Sequence, residues 1–288
     1  MSYNSNSIIS FLDDSFNADD LKHAMLCVGL GTSRISLTLF DGEAKKVVMF
    51  KSLKPALTGT PGSKAYEELY TDTLRGIADK REVDFTKAGE IKVYIENEHY
   101  SLVPESLYNS DEKQLYLDLD QEIYKENEFV ILQNPLASHK LINVFAIPVS
   151  LKENIDKFFP GASIMHHLSV IFHQLDENGF SVHVGSNTLD LIYFNDGLKF
   201  CQTFPYHSAE DVLYHITHVS GRLGIDIKVY PVTLMGEINE GSDGYSMIKE
   251  YFGDLNLIDF RDESGFVKDT DKIQPHHFYT LFSLKNCE

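Results

Sequence analysis

The sequence predicts an α/β protein with mixed sheets, one folding unit used twice with a cleft between the halves. Three observations predict it. First, the chain repeats itself: Val28-Gly29-Leu30-Gly31-Thr32-Ser33-Arg34-Ile35-Ser36-Leu37-Thr38-Leu39-Phe40 returns as Val182-His183-Val184-Gly185-Ser186-Asn187-Thr188-Leu189-Asp190-Leu191-Ile192-Tyr193-Phe194. Each copy is an apolar run, a small polar turn, an alternating strand, and a second turn at Asp41-Gly42 or Asp196-Gly197. That is a β-hairpin whose first turn lets another backbone or a phosphate come close. Second, strands alternate with helices while antiparallel hairpins lead each half, the pattern of mixed sheets. Third, 288 residues, 43% of them hydrophobic, suffice for one large domain or two modest ones. The expected halves are residues 1–148 and 149–288.

Residues 1–20 read as a loosely held lead-in. Residues 24–40, which contain the first Gly turn, and 46–53 read as antiparallel strands, with Ser36 and Thr38 alternating against apolar neighbours. Thr58-Gly59-Thr60-Pro61-Gly62 breaks the pattern. Ser63 then opens a helix to about Lys80, with Tyr66, Leu69, Tyr70, Leu74 and Ile77 at helical spacing. A strand follows at Ile91–Glu96. Residues 100–148 read as an inserted small subdomain of strands at Tyr100–Val103, Leu115–Leu119, Phe129–Leu132 and Lys140–Ala146. Asp118 and Asp120 alternate there with Leu117 and Leu119, which fits a half-exposed strand; a metal site needs convergent partners.

Ser150 is placed to cap a helix carrying Leu151, Ile155, Phe158 and Phe159, stopped by Pro160-Gly161. A short strand at Ala162–His167 and a helix at Leu168–Leu175 lead to the second hairpin, residues 180–205. Ser208 caps a helix to Leu223, which Gly224 ends. Ile227–Leu234 reads as a strand, 244–253 as a helix, 255–260 as a strand, and Pro275–Leu284 as a last short helix.

Composition excludes several classes. The formal net charge of −18 repels nucleic acid and anionic membranes, and the densest basic stretch, Lys45-Lys46 with Lys51 to Lys54, is modest. No apolar run approaches the ~20 residues that cross a bilayer. The opening Met1-Ser2-Tyr3-Asn4-Ser5-Asn6-Ser7 lacks the basic and apolar regions of a signal peptide. Cys27, Cys201 and Cys287 are odd in number and far apart, so no disulfide framework or zinc knuckle is indicated. A cytoplasmic protein without nucleic-acid binding or membrane insertion is the simplest expectation.

The order of elements resembles the actin-like ATPase superfamily, of ribonuclease H-like topology. Its nearest layout is the pilus-assembly and cell-division branch, and the stretch from Phe145 to Leu175 carries that likeness. In that superfamily a first phosphate turn reads Asp-apolar-Gly-Thr, here Gly29-Leu30-Gly31-Thr32. A second reads Asp-apolar-Gly, here His183-Val184-Gly185. An adenosine turn reads Gly-Gly, here Gly236-Glu237. The last helix, near 275–284, sits where that superfamily's final helix returns to the first half. More narrowly, the whole chain resembles DUF3822, a Bacteroidetes family with an actin-like fold and no established activity.

The resemblance implies that the two missing aspartates would have positioned Mg²⁺ and the attacking water. Gly29 has no side chain, and His183 is a poor replacement for a hard oxygen ligand. No catalytic residue is therefore assigned. Backbone N–H groups can still hold an anion, so Gly31, Thr32, Ser33, Gly185, Ser186, Asn187 and Gly236 are the candidate nucleotide-binding residues. ATP with Mg²⁺ is the one cofactor this leaves open, and none is expected.

Two histidine clusters, His166-His167-His173 and His207-His215-His218, read as ordinary structural residues. His215 and His218 share a helix face without recognisable further ligands, so no metal is assigned. No Gly-x-Ser-x-Gly elbow surrounds Ser150, Ser163 or Ser169. The carboxylates that a ribonuclease-type nuclease needs are absent at Gly29 and His183. The sequence thus favours a degenerate actin-like protein acting as a binding or scaffold module, with a protein partner or a second copy of itself. Its 15 Tyr and 19 Phe would supply anchors. The rival is a nucleotide-binding ATPase or kinase-like enzyme in which Asp190 or Glu237 replaces the lost acid.

Overall fold

The structure, a computed structural model, describes residues 6–13, 16–31, 34–42, 46–55, 64–78, 83–118, 128–175, 178–258 and 273–287. The described part of the lead-in, expected to be loosely held, is bonded into the fold. β1 (Asn6–Leu12) pairs antiparallel with a later strand, and a 3-10 turn at Ala18–His23 is capped by the Asn17 side chain, which accepts from Asp19 N. β2 (Met25–Leu30), β3 (Ile35–Phe40) and β4 (Val47–Lys54) form an antiparallel set. β2 and β3 are buried almost end to end, as strands covered on both faces are. Their few polar side chains are satisfied: Ser36 and Ser52 hydroxyls lie 2.8 Å apart, and Thr38 Oγ1 donates to Met49 O.

α1 (Lys64–Ile77) buries Tyr70, Leu74 and Ile77, spaced four and three residues apart on one face, while Leu69 stays outside. β5 (Glu90–Ile95) runs parallel to β2. The inserted segment begins with β6 (Tyr100–Pro104) and then departs from expectation. Where Leu115–Leu119 was expected as a strand, α2 (Lys113–Asp118) is helical. The Asn109 side chain accepts from Asp111 N, starting a 3-10 turn that runs into α2, and Leu117 faces inward. β7 (Phe129–Leu136) and β8 (Leu141–Pro148) complete a three-stranded antiparallel sheet, order β6-β8-β7, over a small core of Val103, Leu117, Ile142, Val144 and Ala146.

α3 (Val149–Phe158) has Pro148 at its N-cap; Ser150, expected as the cap, donates instead to Glu67 Oε2 at 2.9 Å and ties α3 to α1. β9 (Ser163–His166) adds parallel to β5, and α4 (His167–Phe172) follows, capped by the His166 ring. The first sheet therefore has the order β1-β4-β3-β2-β5-β9. Because β9 joins this sheet, the compact unit extends to His173, beyond the boundary expected at 148, and it also takes in the segment from Thr280.

The second unit starts at Gln174 and resumes with the segment ending at Tyr279. It holds β10 (Gly179–Val184), β11 (Thr188–Phe194), β12 (Leu198–Pro205), α5 (Ala209–Leu223), β13 (Val232–Gly236), α6 (Asp243–Tyr251) and β14 (Leu255–Leu257). Its sheet order is β12-β11-β10-β13-β14. The strand expected from Ile227 begins only at Val232, because Asp226 makes a turn. Its side chain accepts from Lys228 N, and its carbonyl accepts from Val229 N and Tyr230 N. α5 has a full capping box between Ser208 and Asp211 and ends at Gly224 in the left-handed region.

The chain closes with a 3-10 turn at Pro275–Phe278, α7 (Tyr279–Ser283) and another 3-10 turn at Leu284–Asn286. The two larger sheets are equivalent in plan. In each, a strand continues on one side through successive antiparallel pairings, β3, β4 and β1 beside β2 and β11 and β12 beside β10, and on the other through two parallel ones. No helix among the described residues is long and apolar enough to cross a membrane.

Candidate functional site

The two Gly turns are built alike. Gly31 N donates to Arg34 O at 2.9 Å, and Gly185 N to Thr188 O at 2.8 Å, closing each hairpin. Each carbonyl takes a tyrosine hydroxyl: Tyr70 on Gly31 O and Tyr206 on Gly185 O, at 3.3 and 2.6 Å. The residue after the neighbouring parallel strand bonds back in the same way, Glu96 N to Leu30 O and Glu237 N to Val184 O. Both turn glycines thus spend their N–H and C=O inside the protein. Thr32 and Ser33 lie outside the described residues.

Each turn also carries a glutamate. A Cβ built on Gly31 would lie 3.0 Å from Glu96 Oε2, so this carboxylate rests directly on the first turn. At the second turn Ser186 Oγ donates to Glu237 Oε1 at 3.0 Å. Asn187 O accepts from Tyr206 N at 3.1 Å. A phosphate brought to either turn meets a carboxylate, and like charges at such distances repel strongly where water is thin.

One cross-strand row in each sheet holds Gly29 or His183, the positions where the resemblance led to the expectation of an aspartate. In the first unit the row reads Ser52–Ser36–Gly29–Tyr94 across β4, β3, β2 and β5. In the second it reads Thr203–Asp190–His183–Met235 across β12, β11, β10 and β13. Gly29 is filled by its neighbour: a Cβ there would lie 2.5 Å from the Tyr94 ring. A side chain at position 29 would require the Tyr94 ring to move from the place it occupies. Arg34 and Ser36 both reach Ser52, the arginine Nη1 at 3.1 Å from its hydroxyl.

In the second row His183 Nδ1 lies 2.8 Å from Asp190 Oδ2, and Thr203 Oγ1 donates to Asp190 Oδ1 at 2.5 Å. Asp190 is fully buried. A carboxylate so held orients the imidazole and satisfies itself, as buried charges must. It faces its strand neighbours.

Gly236 is a glycine for a visible reason. Its φ is +95°, and a Cβ would lie 2.1 Å from Val184 O, so the turn presses against β10. Beyond it, Ile238 O accepts from both His276 Nε2 and His277 Nε2 at 2.7 Å, so the expected adenosine turn is tied to the chain's own 3-10 turn. The expected helix pair His215 and His218 is engaged by aromatic rings: His215 stacks on Phe204 at 4.7 Å and His218 on Tyr214 at 5.6 Å.

The residues that sequence reasoning missed are Tyr94, Glu96 and Thr203. A signal existed for Glu96, which follows β5 as Glu237 follows β13. None existed for Tyr94, whose importance depends on which residue lies beside Gly29.

No curated protein matches the chain. The family described as "Protein of unknown function (DUF3822)" matches residues 13–255. Among solved structures, a Bacteroides thetaiotaomicron protein with actin-like ATPase fold and unknown function is 16% identical, with a TM-score of 0.73 over 95% of this chain and 99% of that one. A PilM–PilN type IV pilus biogenesis complex gives 13% identity and 0.59 over 90% and 97%. The ethanolamine utilization protein EutJ from Carboxydothermus hydrogenoformans gives 9% and 0.50 over 91% and 90%. The fold is that of the actin-like ATPases.

Proposed function

We propose, from the premise that this chain belongs to the DUF3822 family of unknown function, that it is a non-catalytic binding or scaffold module on an actin-like ATPase fold. The observation that carries the reading is the filling of both turns by the chain's own groups. Tyr94 takes the space of a side chain at Gly29, and Glu96 and Glu237 lie on the turns where phosphates would sit. Phosphoryl transfer rests on positioning and charge neutralisation, and a carboxylate on each turn brings negative charge to where a phosphate would need it neutralised. The module acts on a protein partner, in the cytoplasm. A neighbour of the same fold was solved as a complex, PilM–PilN.

Calorimetric titration of the purified protein with ATP, with Mg²⁺ and again with EDTA, tests this. The expected result is no binding heat up to millimolar nucleotide. Metal-dependent micromolar binding, lost in a Gly31→Asp variant, would overturn it in favour of a nucleotide-binding ATPase or kinase-like protein, with Asp190 and Glu237 as the candidates for the replacement acid.

A further inference from the structure

The inserted subdomain carries two leucines that its core does not use. Leu107 is 70% exposed and Leu115 56%. They sit beside a rigid platform. The rings of Tyr108 and Tyr116 stack with centroids 5.7 Å apart. Tyr116 Oη donates to Leu107 O at 2.9 Å and accepts from Asn109 N at 2.8 Å, while Tyr108 Oη is bonded to Gln133. These bonds tie the loop before α2 to the helix and to β7, and both leucines are carried on that tied backbone. Burying two leucines next to a tyrosine stack is the composition of an interface centre.

The rim decides what fits. Between Glu105 and Leu117 the exposed charged side chains are Glu105, Asp111 and Glu112, against a single half-buried base, Lys113. A second copy would bring the same acidic rim and a net charge of −18 to the contact, and an anionic lipid surface would bring more negative charge. We propose that this patch docks a basic amphipathic segment of a partner protein, its apolar side chains on Leu107 and Leu115 and its Lys or Arg residues on Glu105, Asp111 and Glu112. This reading stands whether or not the turns bind nucleotide, because ATP titration reports on the turns alone.

The probe is a fluorescein-labelled amphipathic helix of Leu and Lys, followed by anisotropy with the full chain, beside a Leu–Glu peptide of the same apolar pattern. The expected result is micromolar binding of the Leu–Lys peptide only, weakened at least tenfold in a Leu107→Ser/Leu115→Ser double variant whose net charge is unchanged. Both leucines are exposed, so the variant is expected to fold, and its circular dichroism is compared with the parent. Equal binding by parent and double variant would mean charge attraction without a site and would overturn the proposal. So would failure of the parent to bind. A concentration-dependent dimer in sedimentation, abolished by the double variant, would assign the patch to self-association instead. Binding of the parent, but not the variant, to phosphatidylserine vesicles would assign it to a membrane.

Discussion

At the scale of single residues, the equivalent rows at Gly29 and His183 are filled in two different ways. In the first unit the position is emptied to Gly29 and the Tyr94 ring moves in. In the second, His183 is balanced by Asp190 one strand over, with Thr203 behind it. Burial also governs the three thiols, none of which is in a disulfide. Loss of hydration pushes Cys27 well above the ordinary thiol range and Cys287 up to about 11, whereas Cys201 is half-buried. Only the thiolate alkylates, so iodoacetamide at pH 8 is expected to label Cys201 alone in the folded protein. Cys27 and Cys287 react after unfolding. Peptide mass spectrometry reads this directly, and fast labelling of Cys287 under native conditions would show the C-terminal segment detaching.

At the scale of elements, α5 is fastened at both ends. Ser208 Oγ accepts from Asp211 N at 3.2 Å, the Asp211 carboxylate accepts from Ser208 N and His207 N, and Gly224 leaves in the left-handed region. Those backbone donors are what hold the Asp211 carboxyl below its usual range, with burial opposing them. Replacing Ser208 with Ala is expected to cost about 1 kcal/mol in urea unfolding. A folded pKa below the unfolded one means the Asp211 contribution is present above the ordinary carboxyl range and fades as pH falls through the lowered value. An Asp211→Asn variant should therefore lose its stability difference from the parent as pH falls through that lowered value; a difference constant down to strong acid would show that the backbone donors do not hold the carboxylate. α2 shows the limit of local pattern. Six residues with leucines two apart suit a strand or a helix, and the Asn109 cap decides for the helix.

At the scale of the molecule, the segment from Thr280 belongs to the first unit although it comes last in sequence. Leu281, Phe282, Leu284 and Cys287 are buried; the Phe282 ring lies 5.9 Å from Phe50; and the Lys285 ammonium sits 5.2 Å over Phe40. Lys92, nearly buried, donates to Cys287 O and pairs with Glu90 at 3.1 Å. Burying a leucine or phenylalanine contributes about 1.5–3 kcal/mol each. Three of them together rival the ~5–15 kcal/mol by which a domain is stable. A chain stopped after Tyr279 is expected to be insoluble or to lose a cooperative melting transition by circular dichroism. A soluble truncation melting at the parent temperature would show that the segment adds nothing to the first unit.

The sequence by itself determined the repeat, the two Gly turns, most strands and helices, and the absence of an aspartate at positions 29 and 183. These follow from turn chemistry and from periods of two and 3.6, which act between near neighbours along the chain. It did not reveal that residues 6–12 pair with β4, nor that β9 carries the first sheet past 148. Only the tertiary structure decided what surrounds the turns: Tyr94 beside Gly29, Glu96 over Gly31, Asp190 against His183, and the histidines at 276 and 277 on Ile238. Those meetings depend on the register between distant strands and segments, where a slip of one residue turns every side chain to the other face.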